Sequence, residues 1–268
     1  MNETRPVGAL IREWRQRRRM SQLDCAVEAE ISTKHLSFLE TGRAQPSREM
    51  VLRLAELLDV PLRERNTLLV AAGFAPIFKE RPLTDPDLEP ARAAIDLVLK
   101  GHEPYPALVV DRHWTLIAAN RAVAPFLQRV DPALATPPIN VLRLGLHPGG
   151  LAPRVLNLAQ WRAHLFARLR RQIAASADPV LKDLLSELTA YPAPDESESR
   201  HAEGHDSLAA SVAVPLRLAS DAGVLSFIST ITVFGSPLDI TLSELALETF
   251  FPADADTAAV LRATTPHT

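Results

Sequence analysis

Between Val7 and Gly73 the chain is punctuated as a run of short helices, and no other feature restricts its fold as strongly. Val7, Leu10, Ile11 and Trp14 recur at i, i+3, i+4, i+7, the spacing of one helical face, with arginines on the other. Ser21, with Asp24 three residues on, is a variant capping box. It predicts a second helix over 22–29 that buries Leu23 or Cys25 together with Ala26 and Ala29. Ser32 caps a third over 33–40, with Leu36 and Leu39 inside and Gly42 as a left-handed stop. Pro46 and Ser47 open a fourth around Val51, Leu52, Leu54, Ala55 and Leu58. Pro61 opens a fifth around Leu62, Leu68, Leu69 and Ala72, stopped at Gly73. Five helices this short can be stable only by packing together, so residues 1–73 are expected to form a compact all-α domain.

The pattern then changes. Residues 74–90, FAPIFKERPLTDPDLEP, hold four prolines and read as a linker. An apolar helix follows at 91–100. Ala107–Asp111 and Trp114–Ala119 are β-like runs joined at Arg112-His113, a hairpin signal. Asn120 is expected to cap a helix containing Ala122, Val123, Phe126 and Leu127, and 131–153 reads as Pro-rich and irregular. An amphipathic helix spans 158–176, with Trp161, Leu165, Leu169 and Ile173 on one face. Residues 191–207 are acidic and polar and read as a loop. Val212, Val214, Leu216 and Leu218 alternate as a half-buried strand. Ser220–Gly223 turns it into Val224–Phe234, apolar on both faces and therefore expected to be a central strand. A last helix is expected at 241–250, ending at Pro252.

Composition narrows the function. At 268 residues the chain suggests two domains, and 47% apolar residues allow real cores. Cys25 is alone, which removes an internal disulfide. There is no apolar run long enough for a membrane span, and the N-terminus lacks signal-peptide order, so a cytoplasmic protein is expected. The net charge of −3 would argue against nucleic acid, but residues 1–80 hold 13 Lys+Arg against 11 Asp+Glu. Arg12, Arg15, Arg17, Arg18 and Arg19 crowd one segment there.

No G-x-S-x-G elbow, P-loop or G-x-G-x-x-G is present, and no carboxylate pair stands boxed by apolar neighbours, so no enzyme is expected. His201 and His205 stand at i, i+4 with Asp206 adjacent, a spacing that suits zinc on a helix, but the stretch lacks an apolar face and reads as a solvated loop without a metal. Cys25 falls in an apolar stripe and reads as a buried thiol rather than a redox sensor.

The segment SQLDCAVEAEISTKHLSFLETGRAQPS, residues 21–47, resembles the helix-turn-helix of the XRE family, the Cro/repressor type. The shared frame is Ser21-Gln22, Ala26, Ala29, Ile31, Ser32, Leu36, Leu39-Glu40, Gly42 and Pro46. The resemblance implies double-stranded DNA as partner, with the third helix in the major groove, where base edges carry a readable code. It implies that Ser32, Thr33, Lys34, Ser37 and Phe38 face the bases. It also implies that Gln22, His35 and Arg43 hold phosphates. Arg15 and Glu40 match positions that pair across the core of such domains. Two customary glycines are replaced, by Arg19 and Glu30, where a left-handed backbone costs roughly 1 kcal/mol.

Residues 100–265 carry a second resemblance. GHEPYPALVVDRHWTLIAANRA, VLRLGLHPGGLAPRVLNLAQW and LSFISTITVFGSPLDITLSELALETFFPAD are similar to the C-terminal ligand-binding domain of MmyB-like regulators. The fold class implied is α followed by α+β: a five-helix helix-turn-helix domain (1–73), the linker (74–90), and a PAS-like domain (91–268) with an antiparallel sheet covered by helices. The resemblance implies no cofactor but a bound fatty-acid-like ligand between sheet and helices. The candidate pocket residues are Tyr105, Trp114, Phe126, Trp161, Leu165, Phe227, Ile231 and Phe234. Aromatics on such faces are more often core filler; Trp161 is singled out because it begins a helix directly after a loop. A ligand carboxylate would need a donor, for which Arg112 and Arg154 stand on adjoining loops. Three functions remain open: a homodimeric regulator that senses this small apolar ligand, a DNA-binding regulator whose second domain only dimerises, and an enzyme tethered to DNA, against which only the lack of a catalytic constellation speaks.

Overall fold

The computed structural model describes residues 5–192, 214–233 and 239–264. These fall into two units. The first runs to Pro82 and takes in Ala174–Ala177 and the described residues Asp239–Ser243. The second begins at Leu83 and holds the rest.

The first unit contains α1 (Val7–Arg17), α2 (Gln22–Glu28), α3 (Thr33–Glu40), α4 (Arg48–Leu57) and α5 (Leu62–Ala71). The caps are those of the sequence. Ser21 accepts from the Asp24 amide while the Asp24 carboxylate accepts from the Ser21 amide, closing a reciprocal capping box. Ser32 accepts from the His35 amide and Ser47 from the Met50 amide. Each bond satisfies a donor that the helix start would otherwise leave unpaired. Arg19 and Glu30 adopt the left-handed conformation, φ 56° and 53°, where glycine is usual. The core joins Ile11, Trp14, Leu36, Leu39, Leu54, Leu58 and Leu69. Of the two candidates on α2, Cys25 is sealed inside and Leu23 is 60% exposed. Burial pushes the Cys25 thiol up, so its reactive thiolate is disfavoured.

Residues 74–82 are held within this unit. The Asn66 side chain accepts from the amides of Ile77 and Phe78 and donates to the Phe78 carbonyl. Lys79 then bridges Asp239, the Ile240 amide donates to the Lys79 carbonyl, and Arg81 pairs with Asp239 at 3.1 Å.

The second unit opens with α6 (Glu89–Gly101) and is built on β1 (Ala107–Val110), β2 (Leu116–Ala119), β3 (Leu216–Ser220), β4 (Gly223–Val233) and β5 (Ala246–Pro252). All neighbours are antiparallel, in the order β2-β1-β5-β4-β3. Both expected hairpins form, β1–β2 and β3–β4. In the first, the Asp111 carboxylate accepts from the amides of His113 and Thr115, a local bond that favours a turn. Helices α7 (Ala124–Leu127), α8 (Pro132–Ala135), α9 (Val141–Leu146), α10 (Leu158–Ser176) and α11 (Pro179–Ala190) complete this unit before β3, and α13 (Ala255–Thr264) follows β5. The short α12 (Ile240–Ser243) belongs to the first unit.

Four expectations need correction. The helix expected at 241–250 stops at Ser243, and Ala246–Pro252 is the central strand. Its Ala, Leu and Glu favour helix locally, but pairing to β1 and β4 on its two edges overrides that preference. Strand β4 lies between β5 and β3, but β3 pairs only with Gly223–Phe227 and β5 only with Phe227–Val233, so among the described residues Phe227 alone is paired on both edges. Beyond it Ile231 is 39% and Val233 62% exposed. Asn120 does not cap a helix with its side chain. Buried, it accepts from the Ala107 amide and donates to the carbonyls of Leu99 and Tyr105, tying α6 to β1. Residues 131–153 are not irregular throughout, since the Asp131 and Asn140 side chains start α8 and α9. The acidic loop's His201, His205 and Asp206, and Val212, lie outside the described residues.

Candidate functional sites

In the first unit, α2 and α3 are locked by one buried carboxylate. Glu40 accepts from Arg15 through Oε1 at 2.6 Å and Oε2 at 2.9 Å, and Oε2 also accepts from the Gln22 amide nitrogen at 2.7 Å. Arg15 adds a bond to the Met20 carbonyl, so α1, α2 and α3 meet at one charged node. The Glu40 hydrogen bonds hold the Arg15 guanidinium above its usual pKa. With Leu36, Leu39 and Glu40 turned inward, α3 presents Thr33, Lys34, Ser37 and Phe38 outward. Ser32 and Lys34 are exposed, and Thr33, His35, Ser37 and Phe38 half-buried. Two cations lie over the Phe38 ring, Lys34 Nζ at 5.6 Å and the Arg43 guanidinium at 5.8 Å from its centroid. This is a helix face of donors and one aromatic, flanked by positive charge. Gln22 faces inward onto Glu40, so its amide already has a partner.

In the second unit, one face of the sheet and the helices α7, α9 and α10 line a partly open apolar cavity of about 120 Å³. Trp114, Phe126, Trp161, Leu165 and Phe227 all line it. Phe227 packs edge-on against both Phe126 and Phe250, with ring centroids 5.7 and 6.2 Å away. Trp114 holds a left-handed backbone, φ 67°, and its indole donates to Gln172 at 2.9 Å. Such a conformation at a bulky residue is strained, and here it turns the ring inward from the β1–β2 turn. One lining residue is ionisable. Glu248 on β5 is buried and pairs with Arg168 at 3.1 Å, and that guanidinium lies over the Trp114 ring at 4.2 Å. Burial pushes the Glu248 carboxyl up, against the pull of Arg168. Burial likewise lowers Arg168.

Residues 91–263 match the family described as MmyB-like transcription regulator ligand binding domain, and residues 6–68 match a helix-turn-helix domain. The chain belongs to the MmyB-like transcription regulators. It is 36% identical over 108 residues to the uncharacterized HTH-type transcriptional regulators Rv0023 of Mycobacterium tuberculosis and Mb0023 of Mycobacterium bovis. That match covers 40% of this chain and 38% of each relative. A helix-turn-helix unit thus stands ahead of a ligand-binding domain, and the matched stretch spans less than half the length of these relatives.

Not every pocket candidate of this MmyB-like regulator reaches the cavity. Tyr105 does not line it; the ring packs in the cluster of Leu225, Phe227 and Leu261, its hydroxyl accepting from Arg262. Ile231 shares the cavity-facing side of the sheet but lies past the stretch of β4 that pairs with β3, exposed. Phe234 lies outside the described residues. Arg112 is engaged by Asp178 and Glu244 at 3.7 and 3.6 Å. The wall also includes residues that the sequence pattern does not single out, among them Leu108, Leu116, Leu216, Glu248 and Phe250. Glu248 and Phe250 stand in a run, Ala246–Phe251, that shows no apolar–polar alternation, so no period marks them in the sequence. No helix of the described residues is long and apolar enough to cross a membrane, and no group of three or more His, Cys, Asp or Glu among them could hold a metal.

Proposed function

We propose that this regulator is a cytoplasmic, one-component sensor. Its N-terminal unit binds an operator as a homodimer, and its second domain takes up a small, fatty-acid-like molecule that changes operator affinity. The single observation that carries this reading is the cavity. It sits between sheet and helices, its wall is apolar except for Glu248, and two of its lining residues are tryptophans. A filled core would have no such space, so the cavity favours sensing over a domain that only dimerises. Thr33, Lys34, Ser37 and Phe38 are the base-facing residues, with Ser32 at the helix start. His35 and Arg43 lie toward the backbone of the DNA, whereas the Gln22 amide is held inward by Glu40 and steadies α2 against α3. One α3 reaches few base pairs, which is the reason for a dimer on a pseudo-palindrome. A ligand can shift DNA binding only by its differential affinity for two arrangements of that dimer.

The experiment has two arms. Selection from a random DNA pool with the purified full chain should return a two-fold symmetric site. Titration with saturated acids of increasing length should change the fluorescence of Trp114 and Trp161 and shift affinity for that site. Selection of a site together with silence in the titration would leave DNA binding intact and sink the sensing of this ligand class.

A further inference from the structure

Beside the apolar cavity the second unit holds a wider one, about 410 Å³, and Phe126 lines both. The two differ in chemistry. The outer cavity is rimmed by Arg121, Arg129 and Arg154, with Glu103 and Asp221. Arg129 is engaged by Asp221 through two bonds, 3.0 and 2.8 Å. Glu103 accepts from the backbone amide of Arg121. Arg154, half-buried, gives Nε to the Ala219 carbonyl at 3.2 Å and Nη1 to the Gln128 carbonyl at 3.4 Å. Among the described residues no ion pair joins a carboxylate to Arg154 or to the Arg121 guanidinium. Carbonyls satisfy donors but leave the cationic charge uncompensated.

Size and charge together then decide how a ligand lies. The inner cavity, about 120 Å³, is smaller than one of about 150 Å³ that holds a single benzene ring. It takes the end of an alkyl chain and not a whole long-chain acid. Its one carboxyl, Glu248, is already held by Arg168, and a second carboxylate brought beside it would be repelled. The charged end of a ligand therefore belongs on the arginine side. The geometry points to an amphipathic ligand bound tail inward: an apolar chain passes Phe126 into the inner cavity, and an anionic headgroup rests in the outer one between Arg154 and Arg121. This rests on the ligand-sensing reading above. A guanidinium fork matches a carboxylate or a phosphate equally well, so the headgroup is an oxyanion and the probes must separate the two.

Calorimetric titration of the full chain with octanoic acid, octyl phosphate and 1-octanol tests it, because the three share one tail and differ in the head. The wild type should bind at least one of the two anions tenfold or more tighter than the alcohol, and the better anion names the headgroup. Arg154→Gln combined with Arg121→Gln should lose that advantage and retain the alcohol. Octanol binding as tightly as both anions, or anion affinity unchanged in the double variant, would overturn the inference while the apolar-ligand reading stands. The wild-type comparison decides even if the double variant fails to fold. If none of the three binds, the ligand-sensing reading falls, and this inference with it.

Discussion

The Arg15 guanidinium and the Glu40 carboxylate meet edge to edge, Nε to Oε1 at 2.6 Å and Nη2 to Oε2 at 2.9 Å, with side chains only 9% and 1% exposed. The two residues lie 25 positions apart, so this pair sets how α1 meets α3. Both oxygens are satisfied, Oε2 twice, which is the condition under which a buried pair holds its geometry.

Removing one partner strands the other. Glu40→Ala should cost about 3–5 kcal/mol and unfold the helical unit before the rest of the chain. Arg15→Lys keeps the charge but loses the fork, and should cost about 1.5–3 kcal/mol. Thermal melts followed by far-UV circular dichroism measure both. A Glu40→Ala melt that overlays the wild type would remove the pair from any structural role.

The same chemical change should have opposite signs at two glycines. On α1, a Cβ at Gly8 would overlap the carbonyl oxygen of Leu39 and press on that of Glu40. Backbone cannot move aside as a flexible side chain can, so Gly8→Ala should destabilise by about 1–3 kcal/mol. On α9, a Cβ at Gly145 meets nothing within 4 Å. Gly145→Ala should stabilise by about 0.5–1 kcal/mol, through the lower backbone entropy of the unfolded chain. Denaturant titrations at equal m-value give both numbers.

Lys34 and Arg43 flank the same Phe38 ring, yet their expected contributions differ in kind. Lys34→Ala should weaken binding to the selected operator by about 1–3 kcal/mol and relax one base position, because the shortened side chain no longer reaches a base edge. Arg43→Ala should weaken every sequence alike and flatten the dependence of log K on log salt by about one, because one phosphate is left without its cation. Binding isotherms at three salt concentrations separate the two. Equal losses on operator and random DNA for Lys34→Ala would show that it reads no base.

The first unit was legible almost residue by residue because its determinants are local. Ser21, Ser32 and Ser47 each act on an amide three residues away, and Arg19 and Glu30 replace glycines at positions that any turn of this kind requires. The sheet was legible where two strands are joined by a tight turn, and illegible where its strands come from distant segments. Nothing near Glu248 announces that its strand lies between β1 and β4. Tyr105 and Ile231 carry the same apolar signal as Phe227, and only the curvature and length of neighbouring strands place one in the cavity and the others elsewhere. Burial by tertiary pairing leaves no period of its own in the sequence.

Glu248 supplies the last test, and its sign follows from linkage. Burial raises its folded pKa above the unfolded value despite Arg168 and a hydrogen bond from Ser229. The folded chain therefore holds this proton more tightly than the unfolded chain. The ionised group opposes folding at pH above the folded pKa, and the opposition vanishes as pH falls below about 4.3, the ordinary glutamate value. Glutamine imitates the neutral form and can still accept from Ser229 and Arg168. Glu248→Gln should thus be more stable than the wild type at pH 8, the reverse of Glu40→Ala, and the two should converge as the pH is lowered. Comparing the variant with the wild type at each pH cancels carboxylates such as Glu187, whose pKa is lowered by Arg143 and which lose stability in acid. A variant less stable than the wild type at pH 8 would mean that the Arg168 pair outweighs the burial of its carboxylate. A more stable one would mark Glu248 as a charge held at the cavity wall at a cost to folding.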